Sequence, residues 1–240
     1  MGLFGKPKRA VSLANAGAPV TTLTSATAMI KAKVRRNFAI PLLLGAARHT
    51  RSLCEVEKAH EGEAFGAFYE ELSALATAAV MMCAASLEAC VNELFADASK
   101  HFAPQMLPVW EIGSKDIDRK TLFEKSDWFL TLRGKAVLNA GAEPLQSVAA
   151  LIELRNGLMH FKPEWTGEEK RNVAISRKLA GRFPPLPCLA SEPNLFPLAW
   201  ASGACAAWAV KSSMAFIDEL AKAADLKSPV DQYRDRLSVA

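Results

Sequence analysis

Between Gly66 and Phe102 the chain carries no proline and no internal glycine, and it is dense in Ala, Leu and Met, side chains that favour the helix. Leu72, Leu75, Ala79, Met82, Leu87, Cys90, Val91, Leu94 and Phe95 lie mostly three and four apart. This spacing predicts one helix of about ten turns, buried over much of its girth. A helix that is apolar on so many sides needs helical neighbours, and the flanking sequence supplies them. A first arm begins at Ser25, passes Met29, Val34 and Phe38, and ends near Glu61-Gly62; Pro41 either starts a helix there or kinks one already running. Pro104 and Pro108 close the long helix, and 103–118 reads as a loop. The next helix runs from Asp118 or Arg119 to Asn139, with Gly134 a candidate break, and another from Pro144, with Glu143 near its cap, to Lys162-Pro163. Six of the 13 prolines fall within 163–197, which reads as a long connection with a short strand at most over Val173 to Ser176. A last helix spans about Leu198 to Ala224, with Trp200, Cys205, Trp208, Phe216 and Leu220 as candidate core residues. The expected fold is all-α: an up-and-down helical bundle with a long Pro-rich insertion before the last helix. Residues 1–24 read as a basic flexible leader, 25–225 as the helical domain and 226–240 as a polar tail.

With 240 residues, half of them hydrophobic, the chain can bury a sizeable core, which excludes wholesale disorder. The charge-free runs 72–87 and 193–210 fall short of the ~20 apolar residues of a membrane span, and 10–30 is rich in Ser, Thr, Gly and Pro. The expectation is a soluble protein without membrane contact. No apolar stretch follows Lys6, Lys8 and Arg9 as in a secretory signal, and Lys6 stands where myristoylation wants Ser or Thr. Five cysteines, an odd number without C-x-x-C or zinc spacing, fit a reducing cytoplasm; Cys83 and Cys90 read as buried free thiols. No metal, no cofactor and no phosphate-cradling glycine loop is expected. Charge is unevenly placed. Nine of the 29 bases precede the first acid, Glu55, leaving 20 bases against 25 acids in the remainder. That basic segment suits either an acidic partner such as nucleic acid or a solvated leader.

On the helix from Pro144, one apolar stripe passes through Leu145, Val148, Ile152 and Met159, and a second through Leu151, Leu154 and Leu158. Arg155 and Asn156 fall between the stripes, with His160 four residues after Asn156. A guanidinium buried there without a partner would be costly, so a ligand or partner is expected to compensate it. These residue types suit RNA cleavage by the neighbouring 2′-hydroxyl: Arg clamps the charged phosphate oxygens. An imidazole, with an ordinary pKa of about 6.5, accepts or returns a proton near neutral pH. One His does not easily do both. Two chains packed across a two-fold axis would pool two Arg and two His and furnish base, acid and clamp without metal. The alternative is that the three side chains only satisfy nearby carbonyls or the helix dipole.

Arg155-Asn156-Gly157-Leu158-Met159-His160 resembles the R-x4-6-H motif of the HEPN (higher eukaryotes and prokaryotes nucleotide-binding) family, including the polar residue directly after Arg. Ser86-Leu87-Glu88-Ala89-Cys90-Val91-Asn92-Glu93-Leu94 and His160-Phe161-Lys162-Pro163-Glu164-Trp165 also look like members of that group, over about 60–222. The resemblance implies a homodimeric, metal-independent endoribonuclease with Arg155, Asn156 and His160 in a composite catalytic site, acting as a toxin or in defence. An antitoxin or nucleotidyltransferase is then a further partner to expect. Its competitor is an inactive helical module that binds a nucleotide or a protein partner through the same notch. Gly157, unfavourable in a helix by about 1 kcal/mol against Ala, would admit a second helix or RNA. Lys170, Arg171, Arg177, Lys178 and Arg182 form a run of bases without an acid that suits the RNA backbone, with Trp165 or Phe183 stacking on a base, or else a solvated loop. His49, His60 and His101 have no metal or triad spacing.

Overall fold

A computed structural model describes residues 35–165 and 167–239; the leader and the expected helical turns over 25–34 lie outside the described residues. Helix α1 (Ala39–Ala59) and helix α2 (Phe68–Ala96) form an antiparallel pair. Pro41 sits in the first turn of α1, where its missing N–H costs nothing. The long apolar helix breaks at Asp97, and a single further turn, α3 (Ala98–His101), follows. Helix α8 (Gly203–Ala223) packs on both α1 and α2, with Ser202 as its cap, accepting the Cys205 N–H at 3.1 Å. Leu43, Leu53, Leu72, Leu87, Phe216 and Ile217 are among the side chains almost wholly buried between these three helices. Cys83, Cys90 and Cys205 are buried free thiols, and burial pushes the first two up to about 12.

The fold is an all-α helical bundle; no strand occurs among the described residues. It departs from the sequence expectation in several places. Residues 103–118 are a run of short helical turns rather than a loop, including α4 (Leu107–Gly113), in which Pro108 occupies the first turn. Trp110 stacks on Phe95 at 4.6 Å, and this anchors the segment to α2. Helix α5 (Leu122–Leu132) is shorter than expected. Thr121 and Glu124 form a reciprocal capping box at its start, and Gly134, at φ +68°, turns the chain after its end. Helix α6 (Leu145–Met159) starts where expected, and Glu143 accepts the Ser147 N–H at 3.3 Å. Helix α7 (Lys170–Leu179) stands where a connection or a short strand over Val173 to Ser176 was expected. The expected polar tail contains α9 (Arg234–Leu237), and Val230, Leu237 and Val239 are buried in the core. By length and composition α2 would suffice to cross a membrane. Here it packs against α1, α5, α6 and α8.

The polar residues of α2 hold the bundle together. Ser86 Oγ donates to the Ala39 carbonyl at 2.7 Å, and Glu93 Oε1 accepts the N–H groups of Phe38 and Ala39 at 2.6 and 2.9 Å, satisfying donors at the start of α1. Glu88 and Asn92 receive the buried ammonium of Lys125 from α5, at 3.0 and 3.2 Å. The stretch from Ser86 to Leu94 therefore fixes three helices to one another.

Candidate functional site

Helix α6 buries Leu145, Val148, Leu151, Leu154 and Gly157, a stripe that advances three residues at a time. Ile152 and Leu158 are half-buried, and Met159 is 60% exposed. The first apolar stripe therefore leaves the core before the helix ends, while Leu151 and Leu154 of the second stay buried. Arg155 is half-buried rather than enclosed, which removes the need for a compensating charge. Among the described residues the side chains of Arg155, Asn156 and His160 make no hydrogen bond or ion pair. Asn156 is half-buried and His160 exposed, and among the described residues His160 bonds through its backbone alone: its N–H reaches the Asn156 carbonyl at 3.0 Å, closing the last turn.

Helix α7 lies antiparallel against α6, and three of the five expected RNA-binding bases hold it there. Arg171 Nη1 donates to the His160 carbonyl at 2.8 Å, at the C-terminal end of α6. Lys178 pairs with Glu153 at 3.0 Å, midway along. Arg182 reaches Glu143 at 3.2 Å and Ser147 Oγ at 2.9 Å at the N-terminal end, while its Nε donates to the Lys178 carbonyl. These bonds, with that of Ser147 foremost, hold the Glu143 carboxyl below its ordinary range. Lys170 and Arg177 are exposed and have no side-chain partner among the described residues. The run of bases thus divides into a structural set and two free cations.

Gly157 is the point of closest approach. A Cβ there would lie 2.7 Å from Ile175 Cδ1 of α7 and 3.4 Å from Phe196 Cζ, so this chain's own residues fill the space expected to admit a second helix or RNA. Ser176, buried on α7, accepts the Phe196 N–H at 3.0 Å and secures the turn over Leu195–Ala199 beneath α6. Glu164 accepts the N–H groups of Asn172 and Arg171 at 2.9 and 3.0 Å. Those two backbone bonds pull its carboxyl below the usual range and cap α7.

The notch borders a row of exposed apolar side chains. Phe161 is 49% exposed and meets Phe196 edge-on at 6.1 Å, and Trp165 is 83% exposed. Trp165 is thus open to stacking, whereas Phe183, the other expected stacking residue, is buried against Trp208 at 5.2 Å. Motif spacing alone revealed the three polar residues; the anchoring of Arg171, Lys178 and Arg182 required the position of α7.

A separate cavity of about 600 Å3 opens between the end of α1, the start of α2 and the start of α8. It is lined by Cys54, Glu57, His60, Phe68, Cys188 and Gly203, among others, and by none of the expected site residues. Glu57 there accepts the Gly203 N–H at 2.6 Å, and His60 stacks on Phe68 at 4.5 Å. Burial, reinforced by nearby carboxylates, raises the Cys54 thiol above its ordinary range. Among the described residues no cluster of His, Cys, Asp and Glu could hold a metal ion. Compared with family models, curated proteins and solved structures, the chain finds no match.

Proposed function

We propose that the chain is a metal-independent endoribonuclease of the HEPN type, working as a cytoplasmic homodimer in which two α6 ends face one another. The observation that carries this reading is that the side chains of Arg155, Asn156 and His160 sit together at one helix end with no hydrogen-bond or ion-pair partner among the described residues. Exposed Met159, Phe161 and Trp165 beside them offer apolar surface that a second copy would cover. In the reaction one imidazole removes the proton of a ribose 2′-hydroxyl, whose oxygen attacks the adjacent phosphorus. The P–O5′ bond breaks, and the second, protonated imidazole delivers its proton to the leaving 5′-oxygen. The paired Arg155 guanidiniums hold the non-bridging oxygens as their charge builds. The products are a 2′,3′-cyclic phosphate and a 5′-hydroxyl. Lys170 and Arg177 would contact the RNA backbone and Trp165 a base. A toxin or defence role, with an antitoxin or nucleotidyltransferase partner, belongs to the same proposal.

The exposure of Trp165 favours a second reading, an inactive module that binds a nucleotide or protein partner at the same notch. Incubating mixed RNAs and a chelator with the intact protein, Arg155→Ala or His160→Ala separates the two. Cleavage by the intact protein alone, leaving cyclic-phosphate or 3′-phosphate ends, supports the nuclease. Equal RNA survival in all three supports the binding module.

A further inference from the structure

Leu44, Arg48 and Arg51 form one stripe along α1, four and then three residues apart. The C-terminal segment lies beside that stripe, held by buried Leu237 and Val239, which leave Arg236 and Ser238 exposed between and beside them. Arg51 Nη1 fixes the segment by donating to the carbonyls of Arg236 and Ser238, at 3.2 and 3.1 Å. Between the two walls is a pocket of about 270 Å3, lined by Leu44, Arg48, Arg51, Asp235, Arg236 and Ser238. Three arginines therefore line one pocket with a single acidic residue, Asp235. Among the described residues none of these arginines is in an ion pair. Arg236 instead lies over the Tyr233 ring at 5.9 Å. Gathering like charges costs energy unless an opposite charge joins them.

We infer that this pocket binds a compact, multiply charged phosphate anion of the diphosphate class, held by Arg48, Arg51 and Arg236. Guanidinium forks match phosphate oxygens two at a time, and Ser238 adds a hydroxyl donor. Among the described residues no aromatic ring lines the pocket, so none of them would hold a base by stacking; the phosphates themselves are the recognised part. A bound anion would tie α1 to the C-terminal segment. The pocket shares no residue with the α6 notch, so the inference stands apart from the nuclease reading.

The test is isothermal titration of the full-length protein with inorganic pyrophosphate at constant ionic strength. Saturable one-to-one binding is expected. It should weaken at least tenfold in Arg48→Gln and in Arg236→Gln, both exposed positions, while the exposed Arg119→Gln keeps the parent affinity. ADP as competitor distinguishes the source: displacement of pyrophosphate identifies a diphosphate ester, and no displacement identifies the free anion. Absence of saturable binding, or unchanged affinity in both Arg48→Gln and Arg236→Gln, overturns the inference.

Discussion

The Lys125 ammonium, on a side chain only 6% exposed, faces Glu88 at 3.0 Å, whose own side chain is 33% exposed, and Asn92 at 3.2 Å. Replacing Glu88 with Gln leaves the cation in place with neutral partners only. Breaking a fully buried pair costs about 3–5 kcal/mol, and breaking an exposed one about 0–1 kcal/mol. With one partner buried and the other a third exposed, Glu88→Gln should cost about 2 kcal/mol. Lys125→Met removes the charge itself and fills the same volume with an apolar chain, so it should cost less than about 1 kcal/mol. In the Lys125→Met background, Glu88→Gln should then be nearly neutral. Urea unfolding of the four proteins of this cycle measures the coupling directly. If Lys125→Met is the more damaging single change, or if the two effects simply add, the view that an enclosed cation governs this contact is refuted.

Arg155→Ala and His160→Ala remove side chains with no hydrogen-bond or ion-pair partner among the described residues, so each should unfold within about 0.5 kcal/mol of the parent; a larger loss would show that these residues hold the fold. Arg182→Ala breaks the contacts to Glu143 and Ser147 and should lower stability by about 1–2 kcal/mol, whereas Arg177→Gln should leave stability unchanged and weaken RNA binding, as filter binding at fixed salt would report. The bonds to Glu164 hold its folded pKa below the unfolded value. Their stabilisation is therefore present at neutral pH and is lost as pH falls through the depressed folded value. Amide exchange at Arg171 and Asn172, corrected for intrinsic rates, should speed up over that acid range, and Glu164→Gln should abolish the pH dependence. Gly157→Val should push Ile175 away and cost about 1–3 kcal/mol; a neutral outcome in thermal unfolding would mean that α7 does not pack there as described.

The long apolar period of α2 and the polar notch on α6 were legible because each is a local pattern on one helix. The start of α6 and the break at Gly134 followed from proline and glycine chemistry for the same reason. Helix α7 was not legible. Its apolar positions, such as Ile175 and Leu179, are few, and its stability comes from Gly157 beneath it and from Arg171, Lys178 and Arg182 reaching across to α6. The same limit applied to the C-terminal segment, where Val230, Leu237 and Val239 are too widely spaced among charges to announce burial. Periodicity also overstated the enclosure of Arg155, since it cannot tell where a buried stripe rises to the surface. The bases after the motif looked alike in sequence, and only their distances to Glu143, Glu153 and the His160 carbonyl divided anchors from free cations.

The claim that two α6 ends make one reaction centre is tested most directly by mixing. A fixed amount of intact protein, exchanged with increasing amounts of His160→Ala, is assayed for RNA cleavage. If each centre needs an imidazole from both chains, a mixed pair lacks either the base or the acid, and activity should fall steeply as the variant captures intact chains. Activity that depends only on the amount of intact protein, whatever the excess of variant, would contradict the account.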